Sequence, residues 1–247
     1  ALVVAWVLSF VFVDWSSFNP EAALIFGAAI DLDRVKIAIA SLPADLIAPV
    51  AAVWTGPGRH FVHYRVRGGD LVNFVGVVET RDWRSESWDQ TGDPVELAKE
   101  FGGWAGPIPD IIASAGQCFV WALFDRDPLP SWSEDRVTLL GDACHPMPPF
   151  QAQGAAMAIE DAVVLAKCLN AEGVSQASLQ RYEKLRKPRT SKVLASARAN
   201  MGVFHRSNVV TQAATYGPMK LADRLFPSFV RSRQDWIYGY DVRNVTV

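Results

Sequence analysis

The sequence predicts a mixed α/β fold in which an antiparallel sheet precedes a strand–loop–helix segment and a helical C-terminal part. Residues 60–66 and 71–79 alternate like strands, and the RGGD sequence at 67–70 between them is typical of a hairpin turn. Residues 137–140 form a short apolar run, which indicates a buried strand, and the Ala-rich run over 154–169 indicates a helix. These patterns together place strands first and helices last.

The N-terminal part contains three further signals. Residues 1–13 are almost wholly apolar, which predicts a buried strand, because they are too few to span a bilayer and no basic region of a signal peptide precedes them. An Asn-Pro-Glu sequence predicts a short helix over 19–29. Residues 34–40 alternate like a half-buried strand. Because Ala1 rather than methionine comes first, we expect a processed product or a fragment.

Local signals also predict the later elements. A helix is expected over 94–101, with proline at an allowed first-turn position, and a second short helix over 110–115. Residues 118–124 predict another strand. A long helical run is expected over 175–205, in which Pro188 should kink or restart the helix.

Composition and charge narrow the classes of function. Of the 247 residues, 50% are hydrophobic and 20% are charged, which is typical of a globular protein. The net charge of −2 gives no basis for nucleic acid or an anionic membrane as a partner. The cysteines Cys118, Cys144 and Cys168 are odd in number and lack the spacing of metal ligands. We therefore expect reduced thiols in a cytoplasmic protein, and no metal site.

The segment 137–161 has the layout of a ligand-binding site. Asp142 follows the predicted strand, at the end where open α/β sheets place their ligands. A turn-forming stretch with three prolines covers 145–150, and Gly154 then opens the Ala-rich helix. A helix N-terminus offers unpaired N–H groups and partial positive charge. In the alternative interpretation, Asp142 only caps a turn and Gly154 only permits a tight bend.

Residues 141–162, GDACHPMPPFQAQGAAMAIEDA, closely resemble the second flavin-binding motif of the FAD-dependent single-component aromatic hydroxylases, the salicylate-hydroxylase-like class A flavoprotein monooxygenases. Residues 54–79 resemble the sheet that covers the substrate pocket in that family, with Arg65 where most relatives have proline. Residues 125–132 and 235–241 also resemble family segments. The resemblance extends over roughly residues 41–241.

The resemblance implies a monooxygenase that uses FAD, with NADH or NADPH as reductant and O2, to hydroxylate a small aromatic or heteroaromatic acid. By position, Asp142 would accept hydrogen bonds from the ribityl or ribose hydroxyls of FAD. Pro149 would line the reactive face of the flavin.

Five further positions of the motif bear on the cofactor. Gly154 and Ala155 would bring backbone N–H groups close to the isoalloxazine. The resemblance also assigns Gly141 and Gln153 to cofactor binding. Gln151 departs from the small or apolar residue that is common at its position, so its side chain would either crowd the flavin or bond to it.

His60 and Tyr64 are the candidate catalytic residues on the substrate side, together with Pro149 at the flavin. Alternation places His60 and Tyr64 on one face of the predicted strand. The resemblance implies that such a pair holds or deprotonates an aromatic hydroxyl, a role that suits a base titrating near neutral pH. The alternative is a histidine and a tyrosine that are simply half-buried on a sheet.

The other ionisable residues near these motifs are expected to be structural. His145 stands beside prolines and should fix the loop. His63 lies on the opposite strand face, and His205 stands alone in the sequence. Glu160 and Asp161 point about 100° apart on a helix, too divergent to share a proton, so they should stabilise the loop and the helix.

The sequence predicts three segments. They are an atypical N-terminal segment at 1–33, a substrate-binding sheet domain at 34–130, and the C-terminal part of the FAD-binding domain with a helical tail at 131–247. Two family motifs are missing from the sequence: the GxGxxG fingerprint, and the Asp-Gly motif, of which residues 26–29 are at best a trace.

Two functions therefore compete. The first is an FAD-dependent monooxygenase present as a fragment or in truncated form, with a homodimer as one possible assembly. The second is a non-catalytic remnant of the same fold that binds a ligand or another protein, because the pyrophosphate of FAD has no evident site. A weaker third hypothesis is a membrane-associated protein that uses residues 2–13.

Overall fold

The chain divides into two compact units, each with its own sheet. The sheet unit comprises residues 20–123 and 204–211, and the helical unit comprises residues 1–19, 124–203 and 212–247. The structure, a computed structural model, describes residues 3–5, 23–27, 37–38, 49–79, 90–123 and 126–247.

The described residues form strands and helices in the predicted general order. The strands are β1 (Val3–Ala5), β2 (Ala23–Gly27), β3 (Ile37–Ala38), β4 (Ala52–Gly56), β5 (Arg59–Val66), β6 (Leu71–Glu79), β7 (Thr91–Gly92), β8 (Cys118–Leu123), β9 (Ser133–Glu134) and β10 (Val137–Leu139). The α-helices are α1 (Pro94–Glu100), α2 (Ile108–Ala113), α3 (Gly154–Glu172), α4 (Gln176–Phe204), α5 (Val209–Leu225), α6 (Pro227–Ser232) and α7 (Asp235–Tyr238).

An antiparallel sheet with the strand order β4-β5-β6-β2-β8-β7 organises the sheet unit. β5 and β6 form the predicted hairpin, with His60 opposite Val77 and Val66 opposite Leu71. On its other edge, β6 pairs with β2 along its C-terminal half and with β3 at its start. The antiparallel sheet predicted from the alternating runs is thus confirmed.

The core of the sheet unit lies between one face of this sheet and the helices α1 and α2. Phe61 of β5 stacks on Phe74 of β6 with 5.4 Å between the ring centroids. Phe101, directly after α1, packs edge-on against Phe61 at 5.3 Å. Each of these aromatic side chains is buried, which contributes roughly 1.5–3 kcal/mol per side chain to folding. Asp93 caps the start of helix α1, because its carboxylate accepts a hydrogen bond from the Val95 N–H.

The helix predicted over 19–29 is wrong where the structure describes that segment. Residues Ala23–Gly27 form β2, which pairs with both β6 and β8. Local helix-start signals were outweighed because two ladders of hydrogen bonds with distant strands fix the extended backbone. The Asn-Pro-Glu sequence itself lies outside the described residues. Of the strands predicted over 1–13 and 34–40, the described parts are β1 and β3, and the other residues lie outside the described part of the chain.

The helical unit contains a small sheet in which β1 pairs with β10 in parallel and β9 pairs with β10 antiparallel. Helices α3 and α4 cover a core of buried side chains contributed by Trp132, Leu140, Cys144, Val164, Leu165, Cys168, Leu179 and Tyr182. The Tyr182 hydroxyl donates to the Leu139 carbonyl oxygen at 3.1 Å, which ties α4 to β10. In the part of the chain that the structure describes, no helix combines the length and the apolar character needed to cross a membrane.

A kink or a restart was predicted at Pro188. Helix α4 continues through this residue, so the helix does not end and restart there. Proline removes one N–H donor from the helix and crowds the carbonyl four residues earlier. The side chains on both sides of this position are buried, Tyr182 before it and Val193 and Leu194 after it. Because tertiary packing holds both halves, the cost of the internal proline does not end the helix.

Candidate functional site

Gly141 begins a loop that joins β10 to α3 and covers residues 141–153, here called the 141–153 loop. The loop starts with a 3-10 turn over Gly141–Ala143. Gly141 has a φ of 63°, and a Cβ built on it would lie 3.1 Å from the Cβ of Ala158 in α3. Glycine is required here because the backbone is left-handed and α3 lies too close for a side chain.

Asp161 of α3 is the buried centre that holds the first half of this loop. Its carboxylate accepts from the Gly141 backbone N–H at 3.0 Å, from Nε2 of His145 at 2.5 Å and from Nε of Arg186 at 2.7 Å. Burial alone would raise the pKa of Asp161, but the hydrogen bonds and charges of His145 and Arg186 lower it below its usual value. Asp161 and His145 therefore fix the loop, in agreement with the structural roles expected for them.

Glu160 extends this ionic network along α4. It pairs with Arg186 at 2.7 Å and accepts from both Nε and Nη2 of Arg189 at 2.7 and 2.8 Å. Arg189 in turn lies over the ring of Tyr240, 3.6 Å from its centroid. The two adjacent acidic residues thus bind separate sets of partners, and neither forms an acid–base pair with the other.

The second half of the 141–153 loop is held by α4 and α7. Nε2 of Gln151 donates to Oγ of Ser196 at 2.7 Å, and the Gln151 side chain is buried. Asn200 donates to the Phe150 carbonyl oxygen at 3.0 Å, and the Tyr238 hydroxyl donates to the Gln151 carbonyl oxygen at 3.2 Å. Gln151 is therefore turned toward α4, which differs from both of the orientations expected from the sequence.

The residues assigned to cofactor binding separate into an exposed edge and a buried support. Those with exposed side chains are Asp142, Pro149 and Ala155, and those that are buried are Gly141 and Gln153. A Cβ built on Gly154 would lie 3.8 Å from Oδ1 of Asp142, so the carboxylate lies beside the start of α3. Within the described residues, the Gln153 side chain makes no capping hydrogen bond at the start of α3. The first turn of α3 contains no acidic residue. The edge therefore combines a hydrogen-bond acceptor with an open helix N-terminus.

Cys144, His145 and Asp161 place their donor atoms within 4.8 Å of one another, which is close enough to hold a metal ion. The Asp161 carboxylate already binds the Arg186 guanidinium and His145. Burial, with a further contribution from the Asp161 charge, raises the pKa of the Cys144 thiol, whereas a metal ligand must be a thiolate. This donor set fits a hydrogen-bonded cluster better than a cation site.

His60 and Tyr64 lie on β5 in different environments. His60 is buried, whereas Tyr64 is 37% exposed. Burial, and then the charge of His205, lower the pKa of His60 from its ordinary 6.5 to about 3, which differs from the near-neutral base expected from the sequence. Four residues of extended strand separate the two side chains by about 13 Å, so β5 does not bring them to one point. His63 accepts from Nε1 of Trp54 at 3.0 Å.

His205 is the residue that sequence reasoning missed. It was expected to stand alone, but Nε2 of His205 lies 2.6 Å from Nδ1 of His60, and Nδ1 of His205 lies 2.6 Å from Oε1 of Glu79. All three residues belong to the sheet unit. His60 and His205 are 145 positions apart, and no local pattern links them, so only the fold could reveal the contact.

Comparisons with known proteins find a family match within the helical unit and similar proteins over most of the chain. Residues 125–197 match the family described as FAD binding domain. The chain is 38% identical over 215 residues to the 3-amino-4-hydroxybenzoate 2-monooxygenase PtmB3 of Streptomyces platensis, covering 86% of this chain and 52% of that protein. It is 33% identical over 213 residues to the 3-hydroxybenzoate 6-hydroxylase of Klebsiella oxytoca, covering 85% of this chain and 52% of that protein.

Solved structures have the same fold. A salicylate hydroxylase in complex with its substrate matches with a TM-score of 0.68 and 28% identity, over 92% of this chain and 55% of that one. HpxO of Klebsiella pneumoniae in complex with FAD and uric acid matches in fold, with a TM-score of 0.64 and 23% identity, over 86% of this chain and 52% of that one. The chain is therefore a relative of the FAD-dependent aromatic hydroxylases, and it spans about half the length of these curated relatives.

Proposed function

We propose that this chain supplies the flavin-facing loop and the substrate sheet of an FAD-dependent monooxygenase that hydroxylates a small aromatic acid. The observation that carries the proposal is the exposed edge formed by Asp142, Pro149 and the start of α3. It lies inside the segment that matches the FAD binding domain.

The residues at this edge fit a flavin. Asp142 offers a carboxylate that can accept from the ribityl or ribose hydroxyls of FAD. Gly154 and Ala155 have no bulky side chain, so a planar ring can approach their backbone N–H groups. The positive end of α3 would favour negative charge on the ring. When bound, FAD supplies the reduction of O2 by NADH or NADPH and the transfer of one oxygen atom to the substrate.

On the substrate side, we assign His60 to binding the aromatic hydroxyl, because Tyr64 lies about 13 Å away along β5 and cannot reach the same group. The names of the relatives support a hydroxybenzoate or aminohydroxybenzoate as the substrate class. We further propose that residues 34–130 act as the substrate-binding sheet domain and residues 131–247 as the C-terminal part of the FAD-binding domain. Free, buried cysteines support a cytoplasmic setting.

A second candidate is a non-catalytic remnant that binds an aromatic ligand or another protein. It is favoured by the absence of GxGxxG from the 247 residues, because that sequence forms the pyrophosphate site in dinucleotide-binding folds. The two candidates differ in whether this chain retains FAD.

The assignment of Asp142 to the cofactor site is tested by comparing FAD binding by Asp142→Ala with FAD binding by the parent chain. We expect the parent to elute from gel filtration with yellow FAD, and the variant to bind FAD about tenfold or more weakly, because a hydrogen bond to a charged group contributes about 1.5–3 kcal/mol. Asp223→Ala removes an exposed carboxylate from α5 and is the matched control.

Equal FAD affinity in all three proteins would remove Asp142 from the cofactor site. A folded parent chain that retains no FAD would instead favour the non-catalytic candidate. With FAD bound, oxidation of NADH or NADPH that rises on addition of 3-hydroxybenzoate supports the hydroxylase.

A further inference from the structure

The sheet unit contains a hydrogen-bonded chain of three ionisable side chains, here called the Glu79–His205–His60 chain. Nδ1 of His60 lies 2.6 Å from Nε2 of His205, and Nδ1 of His205 lies 2.6 Å from Oε1 of Glu79. Both histidines are buried, whereas the Glu79 side chain is 50% exposed. The chain therefore leads from the interior of the unit to solvent.

Backbone contacts hold these residues in register. Gly58, in the turn between β4 and β5, donates its N–H to the His205 carbonyl oxygen at 3.3 Å. The Gly58 carbonyl oxygen accepts from the Glu79 N–H at 2.9 Å. The ring of His60 also packs against Phe204, with 5.3 Å between ring centroids. Backbone contacts and packing thus fix the positions of His60 and His205 and the backbone of Glu79.

The chemistry of the groups limits where the protons are. An ionised carboxylate only accepts, so Nδ1 of His205 carries the proton in its bond to Glu79. Nε2 of His205 and Nδ1 of His60 share one further proton. With a neutral His205, His60 donates from Nδ1 and its Nε2 is an acceptor. With a protonated His205, His205 donates from Nε2, and His60 carries its proton on Nε2 instead.

We propose that Glu79 and His205 form a proton relay that lets His60 accept a proton from a hydroxylated aromatic substrate without itself becoming positively charged. This inference rests on the proposed function, which assigns the aromatic hydroxyl to His60. The relay residues act through His60.

The proton transfer balances without an oxidant or a reductant. The substrate O–H bond breaks as an N–H bond forms at Nε2 of His60, while the Nδ1 proton of His60 moves to Nε2 of His205. The positive charge then lies on His205, beside the Glu79 carboxylate, and not on His60. The Nδ1 proton of His205 can next pass to Glu79 and from its exposed oxygen to water. The low pKa of His60 agrees with this order, because burial disfavours an imidazolium at that position.

A pH titration of the folded chain, labelled with 15N at histidine and followed by NMR of the ring nitrogens, tests the relay directly. Among the described residues, His60 and Glu79 are titratable groups within hydrogen-bond distance of His205. As pH falls, we expect His205 to become the imidazolium, while His60 stays neutral and its proton moves from Nδ1 to Nε2 at the same midpoint. Protonation of His60 itself in that step, or an unchanged His60 tautomer, overturns the proposal.

Two substitutions sharpen the test. Glu79→Gln keeps a hydrogen-bond acceptor but removes the charge, so the joint transition should move to lower pH. Glu96→Gln changes an exposed carboxylate on α1 and should leave the transition in place. A transition that is equally unchanged in Glu79→Gln contradicts the role of Glu79 in the relay.

Turnover separates the relay from the proposed function. With FAD and 3-hydroxybenzoate, Glu79→Gln should lower kcat about tenfold or more, with FAD affinity and KM close to the parent values, because proton transfer by a positioned group typically contributes 100-fold or more (about 10²–10⁴). Parent-like kcat in Glu79→Gln counts against the relay. No turnover in the parent contradicts the proposed function, and the histidine titration then decides the relay alone.

Discussion

Asp161 is the single side chain on which the 141–153 loop depends most. It is fully buried, and it satisfies the Gly141 N–H together with His145 and Arg186. Substitution of one partner in a buried ionic network leaves the others without compensation, which typically costs about 3–5 kcal/mol.

We therefore expect Asp161→Asn to lower the free energy of unfolding by about 3–5 kcal/mol in urea denaturation at neutral pH. Asp223→Asn is the control on an exposed helix face. Because the pKa of Asp161 is lowered in the folded chain, its contribution is present above the unfolded pKa and is lost as pH falls through the folded value. A variant within about 0.5 kcal/mol of the parent would show that the carboxylate does not hold the loop.

The lowered pKa of His60 predicts a second way in which the free energy of unfolding depends on pH. Its pKa falls from 6.5 to about 3 in the folded chain, so between these values the unfolded chain binds a proton that the folded chain does not. The free energy of unfolding should therefore decrease as pH falls below about 6.5, by up to about 1.4 kcal/mol per pH unit from this residue. Urea denaturation from pH 7 to pH 4.5 measures the slope, and His60→Gln should reduce it. An identical slope in the two proteins would place the His60 pKa near its ordinary value.

The close contact between α3 and the 141–153 loop lets us predict how glycine substitutions in different elements change stability. Gly141→Ala should destabilise the chain by roughly 1–3 kcal/mol and weaken any FAD binding, because φ is positive and a Cβ would meet Ala158 at 3.1 Å. Gly217 lies within α5 with nothing within 4 Å of a built Cβ. Gly217→Ala should instead stabilise the chain by roughly 0.5–1 kcal/mol. Thermal denaturation compares both variants with the parent, and a stabilising Gly141→Ala would contradict the close packing.

Elements with strong local signals could be predicted from the sequence, and elements that depend on distant partners could not. The β5–β6 hairpin and the helix from Gly154 are confirmed, because alternation, turn composition and an Ala-rich run act locally. The segment that forms β2 was predicted as a helix. Its extended form depends on pairing with two strands far along the chain, which no local signal indicates. Pro188 was expected to kink or restart α4, and the helix continues through it without a restart, with buried residues on both sides.

The same distinction applies to the candidate sites. The motif at 141–162 could be found from the sequence because its residues are contiguous. The orientation of Gln151 could not, because it is set by Ser196 on α4. The contact of His60 with His205 likewise arises only when β5 and residues 204–211 meet in the sheet unit.

For the whole chain, the two units lead us to expect a local response to FAD. The family match lies at residues 125–197, within the helical unit. A ligand that binds only the folded state at 100 times its Kd stabilises that state by about 2.7 kcal/mol. Hydrogen exchange measured by mass spectrometry should therefore slow on addition of FAD, most strongly in peptides from residues 137–172.

At the same FAD concentration, Asp142→Ala with a tenfold weaker Kd should show about half of this stabilisation, about 1.4 kcal/mol. Protection that is strongest in peptides from residues 52–79 would move the flavin contact to the sheet unit and contradict the assignment of the 141–153 loop.

The contacts behind the 141–153 loop have a consequence for affinity. Ser196, Asn200 and Tyr238 hold the loop backbone and the Gln151 side chain from α4 and α7, while Asp142 and Pro149 stay exposed. The conformational entropy of the loop is thus lost when the chain folds, before any ligand arrives. A ligand that meets such a preorganised surface loses less free energy to ordering, so we expect the α4 residues that hold the loop to influence its Kd.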